Sequence, residues 1–111
     1  MLARPLRLTQ GSDYRLVVRR GKRSGGAFVV TSVMASGSVR APRFGFIVSK
    51  QVGTAVVRNT VRRRLKAICF DISDTVPAGT DVVIRALPRA AEASFAELRH
   101  EVNRGITRGL S

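Results

Sequence analysis

The chain has 111 residues, of which 44% are hydrophobic, and its 20 Lys or Arg against 7 Asp or Glu give a net charge of +13. This length and hydrophobic content suit one domain with one core and exclude wholesale disorder. The single cysteine excludes an internal disulfide and a multi-cysteine metal site. No apolar run approaches the roughly 20 residues of a membrane span.

The first residues carry no apolar stretch of the kind found in a secretory signal, which predicts a cytoplasmic location. Residues 1–10 are expected to form an extended tail, because Pro5 opposes an early helix. No repeat or long linker divides the chain, so residues 1–111 are predicted to form a single domain.

A first helix is predicted over residues 13–20, with Ser12 or Asp13 as its N-cap and Gly21 as its C-terminal stop. Residues 22–26 are expected to form a loop. These predictions rest on the short polar side chains and the glycines that flank a weakly amphipathic stretch.

Two strands are expected next. Residues 28–33 are rich in β-branched side chains, and in residues 43–49 Phe44, Phe46 and Val48 alternate with Gly45, Ile47 and Ser49. Ser36 to Ser38 is predicted to turn the chain between them. Both faces of the second strand carry apolar side chains, which favours a central strand covered on both sides.

The second half of the sequence predicts a main helix over residues 56–72, a break at 74–79 and a strand over 81–86. The spacing of Ser94 and Glu97 is typical of a capping box, so a last helix is expected from there to about Gly105. The order α-β-β-α-β-α indicates a mixed sheet with helices packed on it.

Cys69 and His100 are the only cysteine and the only histidine, and they lie in different predicted elements. We therefore expect a buried structural thiol and a histidine on the polar face of a helix, not a catalytic pair. Four phenylalanines are expected in the core: Phe28, Phe44, Phe46 and Phe70.

The distribution of charge points to a polyanionic partner. Residues 14–70 contain 13 Lys or Arg and no acid, whereas residues 71–111 hold six acids and five bases. A field of one sign attracts polyanions. A surface adapted only for solubility would intersperse the two signs, so nucleic acid is the favoured partner.

The main helix concentrates this charge on one side. At 100° per residue, the apolar residues form one continuous stripe: Val57, Val61, Leu65, Ile68 and Cys69. The neighbouring face carries Asn59, Arg62, Arg63 and Lys66, and Arg64 borders the opposite edge of the stripe.

No acid lies three or four positions from these cations, so phosphates would supply the missing counter-charges. A basic amphipathic helix can also bind a membrane or an acidic protein, and the pattern by itself leaves these two alternatives open. Lys50 follows the second predicted strand and would extend the same positive surface.

The segment from Phe44 to Lys66 resembles the signature of the bacterial ribonuclease P protein family. It contains Gly45, Val48-Ser49-Lys50, Gly53 and Ala55-Val56, followed by Arg58-Asn59 and an arginine-rich helix. Further similarity covers Arg7-Leu8, Asp13-Tyr14, Asp81 through Pro88 and Ser94-Phe95, which is nearly the whole chain.

The resemblance implies an α/β (α+β) two-layer sandwich with a mixed sheet of about four strands and three helices. It also implies a left-handed β-α-β crossover around the basic helix, as in a domain of one small-subunit ribosomal protein. The usual crossover is right-handed, so this feature comes from the resemblance alone.

The function that the resemblance implies is that of the RNA-binding protein subunit of ribonuclease P. The holoenzyme is an endoribonuclease that removes the 5′ leader from precursor tRNA, and its RNA subunit, with bound Mg²⁺, performs the hydrolysis. The expected partners are that RNA, at one protein per RNA, and the precursor tRNA with its leader, with neither membrane nor DNA involved.

The resemblance also assigns roles to individual residues. Those expected to face the RNA subunit are Arg58, Asn59, Arg62, Arg63 and Lys66, with Arg64 on the same basic helix. Those expected to line a cleft for the single-stranded leader are Tyr14, Ser49 and Lys50. Val18 and Thr31 stand where the family has further aromatic residues in this cleft. No residue is expected to be catalytic or to bind a metal.

Two other functions compete with this one. A stand-alone nuclease is disfavoured because the basic region has no carboxylate pair for a metal and His100 has no acid–base partner. A structural RNA-binding protein, such as a ribosomal protein, fits the charge and size equally well. Only the motif from Phe44 to Lys66 distinguishes a ribonuclease P protein from this alternative.

Overall fold

The computed structural model describes residues 6–111, so the part of the predicted tail formed by residues 1–5 lies outside it. The elements, in chain order, are α1 (Gly11–Arg20), β1 (Lys22–Gly25), β2 (Val29–Ala35), β3 (Arg43–Ile47), α2 (Ala55–Ile72), β4 (Thr80–Ala86) and α3 (Phe95–Leu110). These three helices and the four-stranded mixed sheet confirm the predicted fold class. Among the described residues, no helix is long and apolar enough to cross a membrane.

The sheet has the strand order β1-β2-β4-β3. The β1–β2 and β2–β4 pairs are antiparallel, whereas β3 and β4 are parallel. Parallel neighbours need a crossover connection, and here α2 supplies it between β3 and β4. The left-handed sense of this crossover stays a prediction from the family resemblance.

The two faces of the sheet are covered by different helices and carry hydrophobic clusters of different size. On one face, α2 and α3 enclose the main core, which includes Val29, Val33, Phe44, Val82 and Ile84 from the strands. On the other face a smaller cluster joins Leu8, Val17 and Val83 beneath α1. Because one short helix covers this second face only in part, some side chains of the sheet remain open to solvent there.

The predicted position of residues 43–49 within the sheet is wrong. β3 is an edge strand, and the central position belongs to β2 and β4. Both faces of β3 are nevertheless covered, which explains its apolar character, and its outer edge is partly closed by the chain before α1. There Arg7 forms a parallel bridge with Phe44, and the Leu8 N–H donates to the Phe44 carbonyl at 2.8 Å.

Two predictions near the start of the chain are also wrong. The segment expected to be a loop contains β1, which is polar because an edge strand can be held by backbone pairing alone. Helix α1 begins at Gly11 with Gln10 as its N-cap, which makes no side-chain capping bond. The carboxylate of Asp13 lies 3.5 Å from the guanidinium of Arg43 instead of capping the helix.

The last helix has the predicted start and a later end. Ser94 and Glu97 form the reciprocal hydrogen bonds of a capping box, as predicted. The helix then continues beyond Gly105 to Leu110, because this glycine provides space against the sheet. A Cβ at position 105 would lie 2.7 Å from the hydroxyl of Thr31.

Three of the four phenylalanines expected in the core contact it. Phe44 is fully buried, and Phe28 and Phe46 are half-buried against the core. Phe70 is 45% exposed, so its predicted place in the core is wrong. The preceding residue, Cys69, takes the buried position, and burial raises the pKa of its thiol.

Candidate nucleic-acid interface

The apolar stripe of α2 fixes the direction of its cations. The buried residues of the helix are Val61, Leu65, Ile68, Cys69 and Ile72, as the helical periodicity predicts apart from the half-buried Val57. With one face anchored in this way, Asn59, Arg63 and their neighbours on the adjacent face are directed away from the core.

A groove of about 620 Å³ runs along this adjacent face. Its lining residues are Arg7, Asn59, Arg62, Arg63, Lys66, Ala67, Phe70 and Asp71. We refer to it as the α2 groove. It brings together four of the six residues predicted on the basic helix, and within it Nη1 of Arg62 donates to Oδ1 of Asn59 at 3.1 Å.

Arg7 is a groove residue that the local sequence pattern did not assign to the site. It reaches the groove because the chain before α1 pairs with Phe44 at the edge of the sheet. This pairing is long-range, so periodicity cannot reveal it. The one sequence signal was the Arg7-Leu8 similarity to the family.

The cations of α2 have no carboxylate partners within residues 6–111. The ion pairs there join Arg40 and Arg43 to Asp81, Arg43 to Asp13, and Arg99 to Asp71. The hydrogen bond to Asp81 raises the pKa of the Arg43 guanidinium. Asp71, the one acid that lines the groove, is thus paired with Arg99 of α3, and the positive charge of the groove is left for an external anion.

Arg58 and Arg64 differ from the groove cations. Arg58 is half-buried, and its Nε has no hydrogen-bond partner among the described residues. Nη1 of Arg64 donates to the carbonyl of Ala93 at 3.2 Å, which holds this side chain against the segment before α3. The structure therefore does not bring Arg64 together with the other residues of the basic helix.

A second concave surface lies between α1 and the open part of the sheet. A cavity of about 240 Å³ is lined by Val18, Arg23, Val30, Ser32, Ile47, Ser49, Val83 and Arg85. A neighbouring one of about 500 Å³ is lined by Tyr14, Arg15, Val18, Arg19 and Ile47. We call the two together the α1 cleft, since Val18 and Ile47 line both.

Tyr14 lies at one end of the α1 cleft with its ring against Gly45. A Cβ at Gly45 would lie 2.6 Å from the ring, so only glycine permits this contact. The Tyr14 hydroxyl donates to the carbonyl of Leu8 at 3.3 Å and accepts from the N–H of Phe46 at 3.2 Å. These bonds fix the ring where one side of it can face a ligand.

The predicted cleft position of Thr31 is wrong. Successive residues of a strand point to opposite faces, and Thr31 points toward α3, where it is 1% exposed. Its neighbours Val30 and Ser32 line the cleft in its place. Val18 and Ser49 do line the cleft, whereas Lys50 is exposed in a short 3₁₀ turn and is absent from the lining.

A small α+β domain with one cation-lined groove and one basic-rimmed cleft belongs to the class of nucleic-acid-binding proteins. Comparison with known families matches residues 2–109 to the family Ribonuclease P. The chain belongs to the ribonuclease P protein family.

Two curated relatives are close to this chain over nearly its full length. The ribonuclease P protein component of Clavibacter michiganensis subsp. michiganensis is 46% identical over 110 residues, covering 99% of this chain and 97% of the relative. That of Rhodococcus opacus is 48% identical over 117 residues, covering 97% and 91%. These relatives confirm the predicted family and its role in tRNA processing as an RNA-binding subunit.

Solved structures show the same fold. The ribonuclease P protein of Staphylococcus aureus superimposes with a TM-score of 0.81 at 18% identity, covering 93% of this chain and 94% of the other. The protein from Thermotoga maritima gives a TM-score of 0.80 at 24% identity, covering 92% and 96%. At these identities the likeness concerns the fold alone.

Proposed function

We propose that the two concave surfaces bind two different RNA ligands of a ribonuclease P protein. The α2 groove binds the RNA subunit, and the α1 cleft binds the single-stranded 5′ leader of precursor tRNA, with one protein per RNA. The observation that carries this proposal is the alignment of Arg62, Arg63 and Lys66 along one helix face without carboxylate partners in residues 6–111.

Phosphates are the natural counter-charges for the α2 groove. Guanidinium forks match phosphate oxygens in pairs, and the amide of Asn59 adds one donor and one acceptor. Each neutralised phosphate releases condensed counterions. By the rule for nucleic acids, four such contacts, one for each cation of the groove, give a log–log salt slope of roughly −3.

The α1 cleft suits a single strand more than a duplex, because its lining places apolar side chains, which can contact unpaired bases, beside arginines and serines, which can contact the backbone. Arg23 and Arg85 supply charge, and Ser49 supplies a hydroxyl. Tyr14 is the one aromatic residue in its lining. The leader is therefore held mainly through its backbone, with stacking on Tyr14 as the principal contact with a base.

In this proposal the hydrolysis belongs to the RNA subunit. Mg²⁺ prefers oxygen ligands, especially carboxylates. The charged side chains that line the two surfaces are all cations except Asp71, which is paired to Arg99. In residues 6–111, no three His, Cys, Asp or Glu side chains form a group that could hold a metal ion. The side chains of these surfaces do not fit a Mg²⁺ site, so the ion is bound by the RNA subunit. The holoenzyme acts in the cytoplasm.

The decisive experiment is reconstitution with the ribonuclease P RNA of the source organism. Cleavage of a 5′-extended precursor tRNA is followed at low Mg²⁺ with wild type and with the double variant Arg62→Ala/Arg63→Ala. A matched control, Arg104→Ala/Arg108→Ala, removes the same charge from an exposed region of α3. We expect strong stimulation by wild type and control, and weak stimulation by the α2 variant.

Two outcomes would contradict the proposal. Equal loss in both double variants would show that only total charge matters and that the α2 groove is no specific site. Tight RNA binding by wild type without accurate 5′ processing would favour a structural RNA-binding role.

A further inference from the structure

An exposed aromatic ring lies at one end of the α2 groove. Phe70 is 45% exposed and lines the groove with Arg63 and Lys66. It follows Lys66 by four residues and Arg63 by seven, so the three side chains lie in a row on one helix face. From Asn59 to Phe70 this row is roughly 16 Å long, at 1.5 Å per residue.

Packing within the domain does not explain this ring. The core positions nearby belong to Cys69 and Ile72, which are both buried. Single exposed hydrophobic residues are common on protein surfaces. Phe70 differs because its neighbours in the groove are cations and an amide, where a charged side chain would serve solubility better.

The other residues around the ring leave its groove side accessible. Asp71 also lines the groove, but its carboxylate accepts from Nη1 of Arg99 on α3 at 2.9 Å. Arg7 lines the same groove from the chain segment before α1. The result is an apolar surface beside several cations in a volume of about 620 Å³, which lies within the usual range for small-molecule sites.

A ring beside a row of cations has the chemistry of a platform for a single-stranded base. Bases that leave a helical stack are bound by aromatic faces, while neighbouring cations hold their phosphates. We propose that Phe70 stacks on an unpaired RNA base whose adjacent phosphates bind Lys66 and Arg63. This inference rests on the proposed binding of the RNA subunit in the α2 groove, and the base therefore belongs to the RNA subunit.

The test compares Phe70→Ala and Phe70→Tyr with wild type in binding to ribonuclease P RNA over a series of salt concentrations. The control is Phe95→Ala, which removes a ring that is 39% exposed at the start of α3. We expect Phe70→Ala to bind about 5- to 150-fold more weakly at every salt concentration, as for loss of one stacked base. Because stacking releases no counterions, the salt slope stays unchanged. Phe70→Tyr and Phe95→Ala bind like wild type.

A photo-crosslinking residue, p-benzoylphenylalanine, at position 70 provides a second measurement that does not depend on the stability of the alanine variant. It is placed in the holoenzyme with bound precursor tRNA, and the crosslinked nucleotide is mapped. A crosslink to an unpaired nucleotide of the RNA subunit supports the inference.

Two results would overturn the inference while leaving the proposed function intact. One is that Phe70→Ala binds ribonuclease P RNA as tightly as wild type at every salt concentration. The other is a crosslink confined to base-paired nucleotides or to precursor tRNA, or none at all, in an active holoenzyme. Failure of the wild-type protein to bind the RNA would instead remove the proposed function, and the inference with it.

Discussion

The carboxylate of Glu101 accepts a hydrogen bond from the backbone N–H of Val29 at 2.6 Å, although the two residues are 72 positions apart. It also accepts from the N–H groups of Ala27 and Phe28, both at 2.7 Å. A single side chain of α3 therefore satisfies three successive amides where β2 begins. Gly26 is required beside it, since a Cβ there would overlap the carboxylate.

Replacing Glu101 by glutamine should lower the free energy of unfolding by about 2 kcal/mol. The amide keeps only one acceptor oxygen and loses the charge that strengthens all three bonds. Urea denaturation measures the change, with Glu92→Gln as a control that should stay within about 0.5 kcal/mol because Glu92 is exposed. An equal effect of the two substitutions would show that the three amides need no anionic acceptor.

Arg63 and Arg64 are adjacent in sequence and should respond differently to alanine. Arg63→Ala should weaken RNA binding and reduce the steepness of the log–log salt slope by roughly 0.7 to 0.9, the value for one phosphate contact. Arg64→Ala should leave the slope unchanged and cost about 1 kcal/mol of stability, because it loses the bond to the Ala93 carbonyl. Salt-dependent filter binding and urea denaturation measure the two effects. A reduced slope in Arg64→Ala would make Arg64 a phosphate ligand.

An added ring in the α1 cleft should strengthen leader binding. Val18 is 41% exposed and lines both parts of the cleft, so Val18→Tyr places an aromatic face where a base can stack. We expect about a fivefold gain in affinity for precursor tRNA with a long leader, the lower end of the range for one base.

The gain from Val18→Tyr should vanish for tRNA that lacks a leader. Leu16→Tyr is the matched control, because Leu16 is also exposed on α1 and is absent from the cleft lining. Equal gains from both tyrosines would indicate non-specific contact with RNA in place of leader recognition.

The thiol of Cys69 should be unreactive in the folded protein. Burial raises its pKa above the ordinary value of 9.0, and the protonated thiol is a poor nucleophile. At pH 8, alkylation by iodoacetamide should proceed only through unfolding and should accelerate in urea. Rapid alkylation of the native protein would show that the site opens without unfolding.

The same burial predicts a dependence of stability on pH. As the pH rises above about 9, the unfolded chain loses the thiol proton while the folded protein retains it, so stability falls. The limiting slope for one group is about 1.4 kcal/mol per pH unit. Cys69→Ala removes this component, so comparison of the two proteins by urea denaturation between pH 8 and pH 10 isolates it from other titrations.

The sequence predicted what depends on near neighbours. The apolar stripe of α2 and the capping box at Ser94 follow from spacings of three and four residues, and the structure contains both. Strand β1 was missed because its polar residues carry no periodic signal and its stability comes from pairing with β2.

Long-range packing accounts for the remaining differences within the site. The side of the sheet on which Thr31 lies depends on the register of β2 and on its contact with Gly105, which is far away in sequence. Arg7 joins the α2 groove only because its segment pairs with β3. In the same way, Phe70 is exposed because Cys69 occupies the buried position next to it.

The alternation of side chains along β2 and β4 has a consequence for how such a protein can change over generations. Val29 and Val33 hold the core, whereas Val30 and Ser32, interleaved with them on the same strand, line the α1 cleft. In the proposed function, substitutions at the cleft positions would therefore alter which leaders are preferred while the helices on the opposite face stay packed. The positions proposed to contact the leader are thus nearly separate from those that hold the fold, so the proposed leader site can be altered without redesigning the core.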